Sequence, residues 1–224
     1  MVVQELYKRF LLMINKNDSN NGVNILPSHF VLLFNAETAR WLAEELKKDE
    51  DNIDVNMIQF LLLTDFPVLP VNKQKEFIEF AMPPDFFQLY GSYSYASRGP
   101  CTGVKIWNFE KKPGNLIPIL QDVDTKPSFD YEEAPFIIGG DKLKIYFEED
   151  CVLGDTYINY YRLPIPIDME GYINFQGNES TNVDPELDDF NLIQILGRLA
   201  SEIARQVKDG EALQFDQDRT QKEF

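Results

Sequence analysis

The sequence predicts an α+β fold. Three observations carry the prediction: helical periodicity in the first third, two-residue alternation through the middle, and one long amphipathic repeat near the C-terminus. At 224 residues, with 44% apolar and 13% aromatic residues, the chain has ample material for a packed core. Its length suits one domain of roughly 100–200 residues with an elaborated loop or insertion.

Val3, Leu6, Tyr7, Phe10, Leu11 and Ile14 recur at helical spacing and predict a first helix over 2–15. The turn-forming run "NKNDSNNG" ends it. A second helical region follows Pro27, with Phe30, Phe34, Trp41, Leu42 and Leu46 on its buried face and a break expected near Asn35. Asp54 is a candidate cap for a third helix through "VNMIQFLLLTD", so helices are expected over 2–65. Pro67 and Pro70 then force extended chain.

A β-rich segment is expected over 75–166. Tyr90, Ser92, Ser94 and Ala96 alternate with Gly91, Tyr93, Tyr95 and Ser97, and "GVKIWNF" (103–109) supplies another strand. The prolines and acids from Lys112 to Pro135 mark a long loop with a helical turn at Leu116–Leu120. Gly139-Gly140-Asp141 suits a tight turn with positive φ. Leu143, Ile145 and Phe147 then alternate with Lys142, Lys144 and Tyr146. After "EEDCVLGD" the strand "TYINYYRL" stops where Pro164 and Pro166 remove ladder donors, and the two strands read as a hairpin. Asp184 and Pro185 mark the start of a helix over 185–209, with Asp184 as N-cap. Its stripe is Phe190, Ile193, Leu196, Leu199, Ala200, Ile203 and Val207, and Gly210 is its expected C-cap. Residues 1–210 read as a single domain and 211–224 as a polar tail, with Phe215 and Phe224 as isolated apolar points and candidate partner contacts.

Composition narrows the function. With 37 acidic and 21 basic residues the net charge is −16, which opposes a nucleic-acid clamp and favours a solvated surface. Two isolated cysteines, Cys101 and Cys151, suit a reducing compartment, and with one histidine they form no recognisable zinc site. No cofactor or metal is expected. No apolar run reaches the roughly 20 residues of a membrane span, and the N-terminus lacks signal-peptide organisation.

The search for chemistry finds no catalytic set. His29 is the only histidine, beside Ser28 and next to no nucleophile motif. "GSYSYASRG" fails G-x-S-x-G, because Tyr93 holds the nucleophile position. Asp122-x-Asp124 fails as a calcium loop at Pro127, where glycine is required. Gly139-Gly140 matches no phosphate-binding loop. Nothing selects Glu148-Glu149 or Asp188-Asp189 as a glycosidase pair from so many acids. Tyr157, Tyr160, Tyr161 and Tyr172 suggest either strand and core packing or a ligand-stacking surface over 157–172, with Arg162 beside them.

Five stretches in order resemble the head-to-tail adaptor or ring proteins of tailed-bacteriophage necks: "FVLLFNAETARWLAEEL", "MPPDFFQLYGSYS", "PFIIGGDKLKIYF", "TYINYYRLPIP" and "DPELDDFNLIQILGRLASEIARQ". The resemblance implies a helical bundle with a β-rich inserted segment and a long C-terminal helix, assembled as a closed homo-oligomeric ring. It implies a structural virion protein, made in a host bacterial cytoplasm, that connects portal to tail. Its partners would be the portal and adjacent neck or tail rings, with DNA passing an acidic lumen. The family brings no catalytic residues. The alternative is a non-viral cytoplasmic binding module with its ligand surface at 157–172.

Overall fold

In a computed structural model, residues 1–15, 25–47, 58–122, 125–173 and 177–222 are described, with side chains up to residue 205. Eight strands form one curled mixed sheet: β1 (Leu62–Val68), β2 (Pro70–Lys73), β3 (Phe77–Ala81), β4 (Phe86–Arg98), β5 (Cys101–Glu110), β6 (Glu133–Gly139), β7 (Lys142–Tyr146) and β8 (Val152–Arg162). Their order is β1-β8-β4-β5-β6-β7-β3-β2. Among the described residues only β5 and β6 pair in parallel, joined by a long connection that contains helix α3 (Leu116–Gln121). Strands outweigh helix, 37% to 34%, and half of a barrel, not a helical bundle with an inserted β segment, is the dominant architecture. The bundle expectation is therefore corrected.

The sheet begins earlier than the sequence suggests. Leu62–Asp65, read as the end of a third helix, are the start of β1, opposite Tyr161 and Tyr160 of β8. Residues 51–57, including the Asp54 cap, lie outside the described residues. A second correction concerns pairing. β7 and β8 are no hairpin: β7 lies between β6 and β3, and β8 between β1 and β4. The hairpins are instead β2–β3, β4–β5, turning at Gly99 (φ +56°), and β6–β7, turning at Gly140 (φ +63°).

One face of the sheet holds the core of this unit, residues 58–163. Ile78, Phe80, Ile106, Phe136, Leu143, Ile145 and Ile158 meet there. Each buried aliphatic or aromatic side chain contributes about 1.5–3 kcal/mol. Amid this apolar surface lie Ser92, Ser94, Asn108 and Thr156, joined by hydrogen bonds of 2.9 Å between Ser94 and Thr156 and from Asn108 Nδ2 to both serines.

The two ends of the chain form a separate compact unit. It contains α1 (Val3–Asn15), α2 (Pro27–Glu45) and α4 (Asp189–Lys222). Phe30 on α2 sits 5.0 Å from Phe10 and 5.3 Å from Tyr7, ring centre to ring centre. α2 runs unbroken past Asn35. That side chain instead clamps the connector backbone, donating to Ile167 O (3.0 Å) and accepting from Ile167 N (2.9 Å).

α4 differs from expectation at both ends. Asp188, not Asp184, caps it, its Oδ1 accepting from Asn191 N at 2.8 Å. Asp184 instead accepts from Val3 N at 2.8 Å, where the first backbone donors of α1 need partners. Pro185 belongs to the connector, and the helix continues through Gly210, the expected C-cap, to Lys222. Its buried stripe is Leu192, Ile195, Leu196, Leu199, Ala200 and Ile203, while Phe190 and Ile193 are exposed.

Leu196 is fully buried. Leu196→Asp places an unpaired carboxylate there and is expected to cost about 4 kcal/mol or more, read as a lower denaturant midpoint. Unfolding unchanged from the parent protein would show that the stripe is not a core.

Candidate interaction face

Alternation along each strand sends the core residues inward and their neighbours outward. Tyr157 of β8, Tyr93 of β4 and Trp107 of β5 fall directly opposite one another and make a row across three strands. Neighbouring strands lie about 4.8 Å apart. The Tyr93 and Tyr157 rings match that spacing: their centres are 5.2 Å apart and their planes 19° from parallel. They therefore stand against each other on the sheet. Tyr95 meets both edge-on, at 5.9 and 6.2 Å.

Lysines complete the face. Lys105 Nζ lies 3.8 Å from the Tyr93 ring centre and 4.5 Å from that of Trp107. Lys144 lies 3.5 Å from the Phe77 ring, and Lys111 5.0 Å from Phe109. The bulge in β1 turns Asp65 into positive φ (54°) and brings its carboxylate to Tyr93 Oη at 2.8 Å. That hydrogen bond is the main reason the Tyr93 phenol is pushed up to about 12. Trp107 remains 57% exposed and Tyr95 38%, so this face is open to solvent.

The tyrosines grouped in the sequence are separated. Tyr157 belongs to the outer row, but Tyr160 points into the core and donates to Asp85 Oδ1 at 3.0 Å. Tyr161 is buried against Tyr90, and Tyr172 lies in the helical unit, bonded to Asp168. Arg162 Nη1 donates to Leu163 O. The tyrosines of 157–172 therefore do not lie together, and Tyr157 shares its face with Tyr93, Tyr95, Lys105 and Trp107. The alternations "SYSY" and "KIWNF" were the available signals; the β4–β8 register that joins them was not readable.

Other candidates have structural duties. His29 is exposed on the first turn of α2, and no hydrogen bond joins it to a nucleophile among the described residues. Asp188 caps α4, and Asp189 pairs with the N-terminal amino group at 3.0 Å. Glu149 pairs with Lys75. Asp122 accepts from Thr125 Oγ1, whereas Asp124 lies outside the described residues. Phe215 is on the helical backbone of α4 without a described side chain, and Phe224 lies outside the described residues.

Glu148, Asp150 and Cys151 bring their ligand atoms within 4.8 Å of one another. Glu148 Oε2 already accepts from Phe129 N (3.1 Å) and Arg98 Nη1 (3.2 Å). Burial, reinforced by Asp150, raises the Cys151 thiol to about 11. A protonated thiol beside a guanidinium is a poor cation ligand. The group works as a clasp for the loop around Phe129. No family model matches the chain, and no curated protein matches its sequence.

Two measurements check this description. Cys101 is exposed and Cys151 buried, so a thiol reagent at neutral pH is expected to label Cys101 at least about tenfold faster; equal rates would contradict the clasp. Burial first, then the Asp85 bond, raises Tyr160 from 10.0 to about 12. A raised phenol favours the protonated folded state. Its contribution is therefore intact below pH 10.0 and lost as pH rises through about 12. In Tyr160→Phe the fall of stability across that window should be shallower, measured by chemical unfolding at successive pH values.

Proposed function

We propose that the protein is a structural assembly subunit, and specifically a ring subunit in the neck of a tailed bacteriophage, between portal and tail. The carrying observation is the exposed aromatic–lysine face, which has the chemistry of a protein-contact surface. Interface cores are enriched in tyrosine and tryptophan. One face of Tyr93 is covered by Tyr157 and another contact to the ring is made by Lys105. A small planar ligand has little of that ring left to stack on, which weighs against a ligand-binding module.

The ordered landmarks support the neck assignment; the bundle architecture no longer does. A net charge of −16 suits a lumen that must let DNA slide without binding it. Residues 211–224, with Phe215 and Phe224 in the sequence, are the proposed arm toward the portal or an adjacent ring. Electron microscopy of purified protein and of particles tests the reading. A closed ring present at a fixed copy number in particles is expected. A protein absent from particles, or a monomer with enzymatic turnover, would overturn it.

A further inference from the structure

The β5–β6 connection ends in a narrow turn laid against the sheet core. Ser128 and Glu133 exchange backbone hydrogen bonds of 2.9 and 3.0 Å and form the base of this turn. Trp107 N fastens the base to β5, donating to Glu132 O at 2.7 Å, and Glu132 reverses the chain at positive φ (58°). Phe129, Asp130 and Tyr131 form the tip. Only Phe129 of the three is buried. With Ala96, Ile106, Ala134 and Leu153 it lines a small apolar pocket that Cys151 also borders. Atoms facing a gap lose dispersion contacts, so Phe129 is held less firmly than a close-packed core residue.

One residue reaches over the tip from the sheet. Arg98, the last residue of β4, donates to Glu148 and to Asp130, and its guanidinium lies 4.7 Å from the centre of the Phe129 ring. Glu148 adds a bond from Phe129 N at 3.1 Å. The turn between β7 and β8, which carries Glu148 and Cys151, is tied down independently on its far side. Lys75 pairs with Glu149 there, and Phe147 N donates to Glu76 O at 3.1 Å. The tip at 129–131 is therefore the movable half of this junction.

We propose that residues 129–131 are a flap latched by Arg98, which opens while the sheet stays folded and so gates solvent access to Cys151. The latch is built from charges that water and salt can reach: the Asp130 side chain is 71% exposed and that of Arg98 28%. Such pairs contribute little each and are screened by salt, so the closed state is weakened by ionic strength, and the apolar core beneath is not. Local openings of this kind lie below the free energy of global unfolding. Opening needs neither a ring contact nor a phage component, so its failure leaves the neck assignment untouched.

The test uses the full chain with Cys101→Ser, which leaves Cys151 as its one thiol, and follows alkylation by uncharged iodoacetamide at neutral pH. In this parent, alkylation should be slow and nearly independent of urea below the unfolding transition. It should be about threefold faster in about 0.5 M than in about 0.05 M salt. Arg98→Gln should speed it at least about tenfold and abolish the salt response, with an unfolding midpoint near the parent value. The direction separates opening from electrostatics. Burial first, then Asp150, raises the Cys151 thiol, and Arg98 opposes them, so losing its charge from a closed flap would slow alkylation. Asp130→Asn removes only the outer pair and should accelerate less, which keeps the test open if Arg98→Gln does not fold. Lys75→Gln loosens the far side of the turn and should leave the rate unchanged. Alkylation that follows global unfolding in urea, a rate indifferent to salt, no acceleration in the Arg98 and Asp130 variants, or equal acceleration by Lys75→Gln would each overturn the proposal.

Discussion

The segment Leu62–Lys73 is the constraint on which the sheet depends. β1 and β2 are the two outermost strands, seven positions apart in the order, yet only Leu69 separates them in the chain. One nearly continuous strand therefore has to reach both edges, which a flat sheet of eight strands spaced about 4.8 Å apart forbids. The sheet must curl until its edges approach. Pro67 and Pro70 fit this position, since each lacks an N–H and edge strands are where proline is tolerated. With the bulges in both strands and the exposed Lys73, they also blunt the edges against pairing with other chains.

Curling creates an inside and an outside, and the chain uses them in an unexpected way. On β4 the serines face in and the tyrosines face out. Ser92 and Ser94 are tolerated inside because Asn108 and Thr156 from the flanking strands satisfy them, and Ser92 also donates to Tyr157 O at 3.1 Å. A buried hydroxyl without a partner costs roughly 1–3 kcal/mol, so these four side chains fix the register of β8, β4 and β5 together. The same register places Tyr157, Tyr93 and Trp107 in one row outside. The inner polar network and the outer aromatic row are two consequences of one alignment.

Much of the local structure was legible in the sequence and most of the pairing was not. α1, α2 and the turn at Gly140 follow from periodicity and from the need for positive φ, whereas the turn at Gly99 was not read from the sequence. Leu62 and Leu63 misled because a short apolar run suits a helix end and a strand equally; only pairing with Tyr160 and Tyr161, about a hundred residues away, decides between them. The start of α4 was ambiguous for a similar reason. Asp184 and Asp188 are both good caps, and the demand of α1 for an acceptor at Val3 N assigns the first elsewhere. Lys105 and Trp107 gave no signal alone, because a lysine two residues from a tryptophan acquires meaning only when β4 brings Tyr93 beside both.

Acidity has a different meaning once it is mapped onto the two units. A uniformly acidic surface would keep copies apart and give no reason for lysines to sit over rings. Here the helical unit carries −11, from 11 Lys/Arg and 22 Asp/Glu, while the sheet unit spends three of its ten cations on cation–π contacts at one face. An ammonium over a ring keeps its charge while its apolar stem covers aromatic surface, so lysine and carboxylate alike keep the ring-bearing face hydrated.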